Sequence, residues 1–177
     1  MFPERILLIA KSRPLWQAWS QAFAKYANVE TVEGDFFARD ADLMVSPANS
    51  FGIMDGGLDA AIRDALGGEI QRVVQNAILE RYHGELPVGA CEIVPTGHPR
   101  WPQLAVAPTM RIPESVANTV NAYLAFRALL LAVLSYNQGH AGAPIRSVVV
   151  PGLGTGIGGM DPRRCAAQTR VSPFGTV

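Results

Sequence analysis

The chain has 177 residues, 49% hydrophobic and only 17% charged, with fifteen basic side chains against fifteen acidic ones. A chain of this size buries roughly two-thirds of the surface its unfolded form exposes, so it needs no disulfide or metal to fold, and its apolar richness fits a sheet covered on both faces. Zero net charge removes the field that would steer it to DNA, RNA or an anionic membrane, which leaves any phosphate recognition to local geometry.

Residues 6–10 form an apolar run too short for a signal-peptide core and followed by Lys11 and Arg13 rather than a cleavage site, so they predict a buried strand. Residues 14–26 predict an amphipathic helix opened by Pro14, with Leu15, Trp16, Trp19, Phe23 and Tyr26 on its core side. Strands follow at 29–32 and 43–45, then helices at 58–66, closed by Gly67 and Gly68, and at 70–82. Residues 90–94 and 104–107 predict a pair of strands around a turn-rich stretch, 95–102. The longest predicted helix is 115–136, with an apolar face through Val116, Val120, Tyr123, Leu124, Leu131 and Leu134. Its apolar run at 128–133 falls short of a membrane span. A last strand at 148–150 and a helix at 162–169 complete the alternation, which predicts a three-layer α/β/α domain over residues 1–170. Pro173 and Gly175 argue against helix in the remaining tail, 171–177.

Cys91 and Cys165 lack a partner pattern and predict free thiols in a reducing compartment, the cytoplasm; both read as packed rather than catalytic. His83, His98 and His140 fall in separate turns without metal-ligand spacing, so no metal site is expected. Residues 99–102 and 111–113 read either as a border of a ligand site or as solvated rim.

Two strand-to-glycine transitions carry the functional signal. Residues 45–62 pass from an apolar strand through Asn49, Gly56 and Gly57 into a helix that begins near Asp59. Residues 148–159 pass from a strand into Gly154, Thr155, Gly156, Ile157 and Gly158. Glycines allow backbone N–H groups to approach an anion closely, and a helix N-terminus adds partial positive charge. In such sheets ligands sit beyond the carboxyl ends of the strands, so both loops can serve one site. On local pattern alone, Asp35 is also an ordinary turn residue, and Asp59 is also the acid a helix N-terminus favours.

Four segments in order, namely 34–36, 49–59, 106–108 and 151–159, make the chain resemble the macro domain family. The resemblance implies an α/β/α sandwich around a central mixed sheet. It further implies ADP-ribose binding and, in the hydrolytic branch, cleavage of mono-ADP-ribosyl esters on acidic side chains or of O-acyl-ADP-ribose, without cofactor or metal. By the same resemblance Asp35 would accept a hydrogen bond from the adenine amino group and Phe36 would offer a backbone N–H to the ring. Gly56, Gly57 and the loop of Gly154, Thr155, Gly156, Ile157 and Gly158 would hold the diphosphate. Asn49 would orient the distal ribose, and Asp59, ten residues on, would position water. The partner implied is ADP-ribose or an ADP-ribosylated protein, and the alternative is a non-catalytic reader of the same group. Gly158 stands where many hydrolytic members carry an aromatic residue, which predicts a wider distal end of the pocket, with Phe51 either substituting for that ring or simply packed.

Overall fold

The computed structural model describes residues 1–170; the expected tail at 171–177 lies outside the described residues. Six strands, β1 (Arg5–Ala10), β2 (Val29–Glu33), β3 (Leu43–Ser46), β4 (Glu92–His98), β5 (Trp101–Val106) and β6 (Ser147–Val150), form one sheet in the order β2-β1-β6-β3-β5-β4. All neighbours are parallel except β4, which runs antiparallel to β5, so the sheet is mixed. The helices are α1 (Arg13–Ala22), α2 (Gly57–Leu66), α3 (Glu69–Tyr82), α4 (Asn121–Gly139) and α5 (Pro162–Arg170).

The two-residue period of the strands sorts their side chains onto two cores. Ile6, Leu8, Val45, Ala105 and Val148 pack against α1, α4 and α5 through Leu15, Trp19, Phe126, Leu129 and Cys165. Leu7, Ile9, Met44, Leu104 and Val149 face the other way, onto Ile62 of α2 and Ile70, Val74 and Ile78 of α3. This is the three-layer arrangement, with each buried aliphatic side chain contributing about 1.5–3 kcal/mol of transfer free energy. The aromatic stripe of α1 is core: Trp19 and Phe23 are buried, with Trp16 and Tyr26 packed beside them.

Local chemistry sets the element ends. Ser12 caps α1 by accepting from the Leu15 N–H, and Pro14 occupies its first turn. α3 closes on His83, which adopts the left-handed conformation at φ 54°.

Two expectations are corrected. The helix expected from 115 begins only at Asn121. Val116 is drawn into the core, and Thr119 breaks the run by donating its hydroxyl to the Val116 carbonyl while accepting the Asn121 N–H. Consequently the buried face of α4 is Ala122, Ala125, Phe126, Leu129, Leu130 and Val133, whereas Val120 and Leu131 are exposed. The stretch expected as turn between the paired strands is mostly strand: β4 continues through Pro95 and Gly97 to His98, and β5 begins at Trp101. An edge position tolerates a proline in a way a central strand does not. Among the described residues no helix is long and apolar enough to cross a membrane.

Candidate ligand-binding and hydrolytic site

A cavity of about 520 Å³ opens at the carboxyl ends of the parallel strands. Its walls come from Gly34–Phe37 after β2, Lys11 and Ser12 after β1, the 151–158 loop after β6, the 47–59 loop after β3, and Thr109, Met110 and Pro113 after β5. Those strands are consecutive in the sheet from β2 to β5. Four inter-strand steps make the site about 19 Å long. Every residue predicted from sequence as a site residue lines this one cavity: Asp35 and Phe36 at the β2 end, the glycine loop at the centre, and Asn49, Gly56, Gly57 and Asp59 on the β3 side.

Asn49 organises the β3 loop. Its Oδ1 accepts from the N–H groups of Phe51 (3.0 Å) and Ile53 (3.2 Å), and its Nδ2 donates to the Ile53 carbonyl at 2.7 Å. One amide N–H of Asn49 is left without an acceptor among the described residues. Gly57 then turns the chain into α2 at φ +56°, a conformation that a side chain would strain. Because the capping position is Gly56, no side chain occupies the N–H groups of the first turn of α2, and they remain directed to whatever binds there.

The β6 loop uses its carbonyls for structure and spares its N–H groups. The oxygens of Gly154, Gly156 and Gly158 accept from Met160 (2.9 Å), Gly159 (3.0 Å) and Val116 (2.8 Å). Among the described residues nothing accepts from the N–H groups of Gly154 through Gly158. A run of such groups is a concave anion site that needs no lysine. Ile157 is exposed and reaches across the mouth, its Cδ1 4.0 Å from where a Cβ on Gly57 would stand, so the two glycine loops face one another.

The surroundings of Gly158 are packed. Gly158 leaves no extra room: an added Cβ would stand 2.5 Å from Cγ2 of buried Val116 and 2.6 Å from the Gly154 carbonyl oxygen. Buried Val116 occupies the space beside Gly158. Phe51 does not line the cavity. It lies beneath the Arg111 guanidinium, 5.1 Å from its ring centroid, and Arg111 is in turn paired with Glu85. Arg100 and Trp101 sit at the β4–β5 turn and do not line the cavity, whereas Pro113 does.

At the β2 end Asp35 is exposed, with Oδ1 accepting from the Phe37 N–H at 3.2 Å, and Phe36 buries its ring while its N–H has no acceptor among the described residues. Asp59 is half-buried in the first turn of α2. Burial pushes its carboxyl up to about 6 from 3.8, opposed by the Ser46 hydroxyl, which donates to Oδ1 at 2.6 Å. A carboxyl raised in the fold stabilises the protein fully below about pH 3.8, and that contribution is lost as pH rises through about 6. Unscreened, the shift is worth about 3 kcal/mol, and partial solvent contact reduces it to about 1–2 kcal/mol. Asp59→Asn is therefore expected to raise Tm by about 2–8 °C at pH 8 and to give no gain at pH 3.5, as read by calorimetric scans.

Sequence reasoning missed Lys11, Ser46, Thr109 and Met110. Ser46 is the last residue of an apolar strand, and Thr109 spends its hydroxyl on the Pro47 carbonyl, so neither announces itself in a linear pattern. Lys11 enters the wall only because β1 lies between β2 and β6. No group of His, Cys, Asp and Glu among the described residues could hold a metal ion.

Comparison with known proteins agrees with this fold. An uncharacterized protein of Aquifex aeolicus is 32% identical over 145 residues, 81% of this chain and 79% of its own length. The macro domain-containing protein lmo2759 of Listeria monocytogenes is 29% identical over 81% of this chain and 76% of its own. Among solved structures, the macrodomain of Mycobacterium tuberculosis DarG superposes with a TM-score of 0.63 at 23% identity, covering 77% of this chain and 83% of its own. An Oceanobacillus iheyensis macrodomain with ADP superposes at 0.63 and 22% identity, covering 77% and 69%. At these identities the structural matches show the fold. The family model described as Macro domain matches residues 45–169, which takes in both glycine loops, Asp59 and every element from β4 to α5, and the chain belongs to the macro domain family.

Proposed function

We propose that this protein binds ADP-ribose along the cavity and hydrolyses mono-ADP-ribosyl esters of acidic side chains, with O-acyl-ADP-ribose as a related substrate. The observation that carries the reading is the order of chemistry along about 19 Å: an acceptor-only carboxylate at Asp35, facing N–H arrays at Gly154–Gly158 and the start of α2, then a half-buried carboxylate at Asp59. That order matches adenine, diphosphate and distal ribose. Macrodomains of Oceanobacillus iheyensis have been solved with ADPR and with ADP, which supports the ligand class.

In this reading the N–H arrays hold the diphosphate in a preorganised site, and Asn49 offers its remaining N–H to the distal ribose. Asp59 takes a proton from water as the water oxygen bonds to the anomeric carbon. The bond from that carbon to the ester oxygen breaks, and its electron pair leaves with the carboxylate of the modified side chain. The leaving group is already a stable anion, so geometry and one base suffice. Free thiols at Cys91 and Cys165, both pushed upward by burial, fit a reducing, cytoplasmic setting.

Calorimetric titration with ADP-ribose, ADP, AMP and GDP tests the binding half. Micromolar or tighter ADP-ribose binding with GDP excluded is expected, and no ADP-ribose binding overturns the reading. Asp35→Asn is expected to weaken ADP-ribose by about tenfold, the worth of one hydrogen bond to a charged acceptor at an exposed site, and to narrow the preference over GDP. Turnover is tested on a glutamate-linked mono-ADP-ribosylated peptide; tight binding without turnover would make the protein a reader.

A further inference from the structure

We infer that Ser46 is a positioning residue for the carboxylate of Asp59: its hydroxyl holds one carboxylate oxygen against the end of β3 and leaves the other to the cavity. The inference rests on the proposed role of Asp59 as the base.

Ser46 is 1% exposed and cannot exchange its partner for water. Its backbone is fixed on the β5 side, where it pairs with Val106 and its carbonyl accepts from the Ala107 N–H at 3.0 Å. The hydroxyl has one proton, and at 2.6 Å from Oδ1 it is donated to Asp59. A rigid strand end thus reaches thirteen residues along the chain to the first turn of α2 and sets the carboxylate's orientation. Among the described residues Asp59 receives no other donor.

Charged neighbours do not compete for this role. Lys11, Asp35 and Asp55 share the cavity wall, Arg63 on α2 pairs with Asp64, and Arg111 beyond β5 pairs with Glu85; burial raises the Asp59 carboxyl and the Ser46 hydroxyl opposes it. The hydroxyl therefore does two things at once. It keeps Asp59 ionised at neutral pH against the cost of burial, and it reserves the second oxygen for the proton of the attacking water.

Ser46→Ala and Ser46→Thr test this by three readouts: the Asp59 titration by carboxyl carbon NMR, assigned with Asp59→Asn; the pH profile of kcat on the glutamate-linked peptide; and ADP-ribose affinity. Ser46→Ala is expected to move the Asp59 midpoint and the acidic limb of kcat upward together by about one pH unit or more. It should lower kcat at pH 6 by about tenfold and keep ADP-ribose affinity within about twofold, as expected for loss of one charge-assisted hydrogen bond. Ser46→Thr restores the hydroxyl and should restore the profile. An unmoved midpoint and profile in Ser46→Ala overturns the inference, as does a kcat loss that the threonine leaves unrepaired. If the unsubstituted protein binds ADP-ribose but turns nothing over, the hydrolytic reading itself has failed, a result distinct from an active enzyme indifferent to Ser46.

Discussion

Asp59→Ala is expected to lower kcat on a mono-ADP-ribosylated glutamate ester by at least about 10²-fold, while ADP-ribose affinity changes by no more than a few-fold. The two halves separate because the proposed binding groups are parts that Asp59 does not build: Asp35 at the far end and the N–H groups of the 154–158 loop. Under the proposed mechanism the rate depends on Asp59, the carboxylate at the start of α2 that lines the cavity beside Gly56 and Gly57, because general-base assistance contributes about 10²–10⁴-fold. With its carboxyl raised to about 6, the base is ionised at neutral pH and basic enough to take a proton. Accordingly, kcat should climb as pH rises through about 6 and level off above, and the alanine variant should lose that limb. Measuring kcat from pH 4.5 to 8 in both proteins checks the assignment; equal turnover in the alanine variant removes Asp59 from the chemistry and leaves the binding claim standing.

Gly158→Ala should be a strongly damaging single-methyl change in the cavity wall. The new carbon would stand 2.5 Å from Val116 Cγ2 and 2.6 Å from the Gly154 oxygen, both far inside van der Waals contact. Val116 is buried, and the Gly154 carbonyl is tied to the Met160 N–H, so neither neighbour moves without dragging the anion loop. Overpacking of this kind costs about 1–3 kcal/mol, or a Tm drop of about 2–12 °C, and the displaced N–H groups should weaken ADP-ribose by tenfold or more. Adding Val116→Ala relieves one of the two clashes and should recover part of the Tm. Full affinity and Tm in the single variant would show that the loop is not pinned as described.

The same glycine shows where linear reading stopped. Gly158 is visible in the sequence as the absence of a ring, and absence reads as space; the fold brings Val116, more than forty positions earlier, into that space. Val116 itself reads as the first turn of a long apolar helix, because helical periodicity continues through it. The core contact and the Thr119 hydrogen bonds override that periodicity and delay α4 to Asn121. Phe51 likewise carries no signal that separates a pocket lid from a ring packed under Arg111, since the Glu85–Arg111 pair that holds it there spans 26 positions.

By itself the sequence determined the alternation of strands and helices, the two glycine loops and the spacing from Asn49 to Asp59, because each is written in side chains adjacent along the chain: period-two burial, turn residues, caps. Only the tertiary structure decided that the wall passes from β2 through β1, β6 and β3 to β5, that Lys11 belongs to it, that Ser46 reaches Asp59, and that Val116 fills the space beside Gly158. Strand order and long-range packing are set by which faces bury together across the whole sheet, and that free energy is shared among residues far apart in sequence, none of which reveals its partner locally.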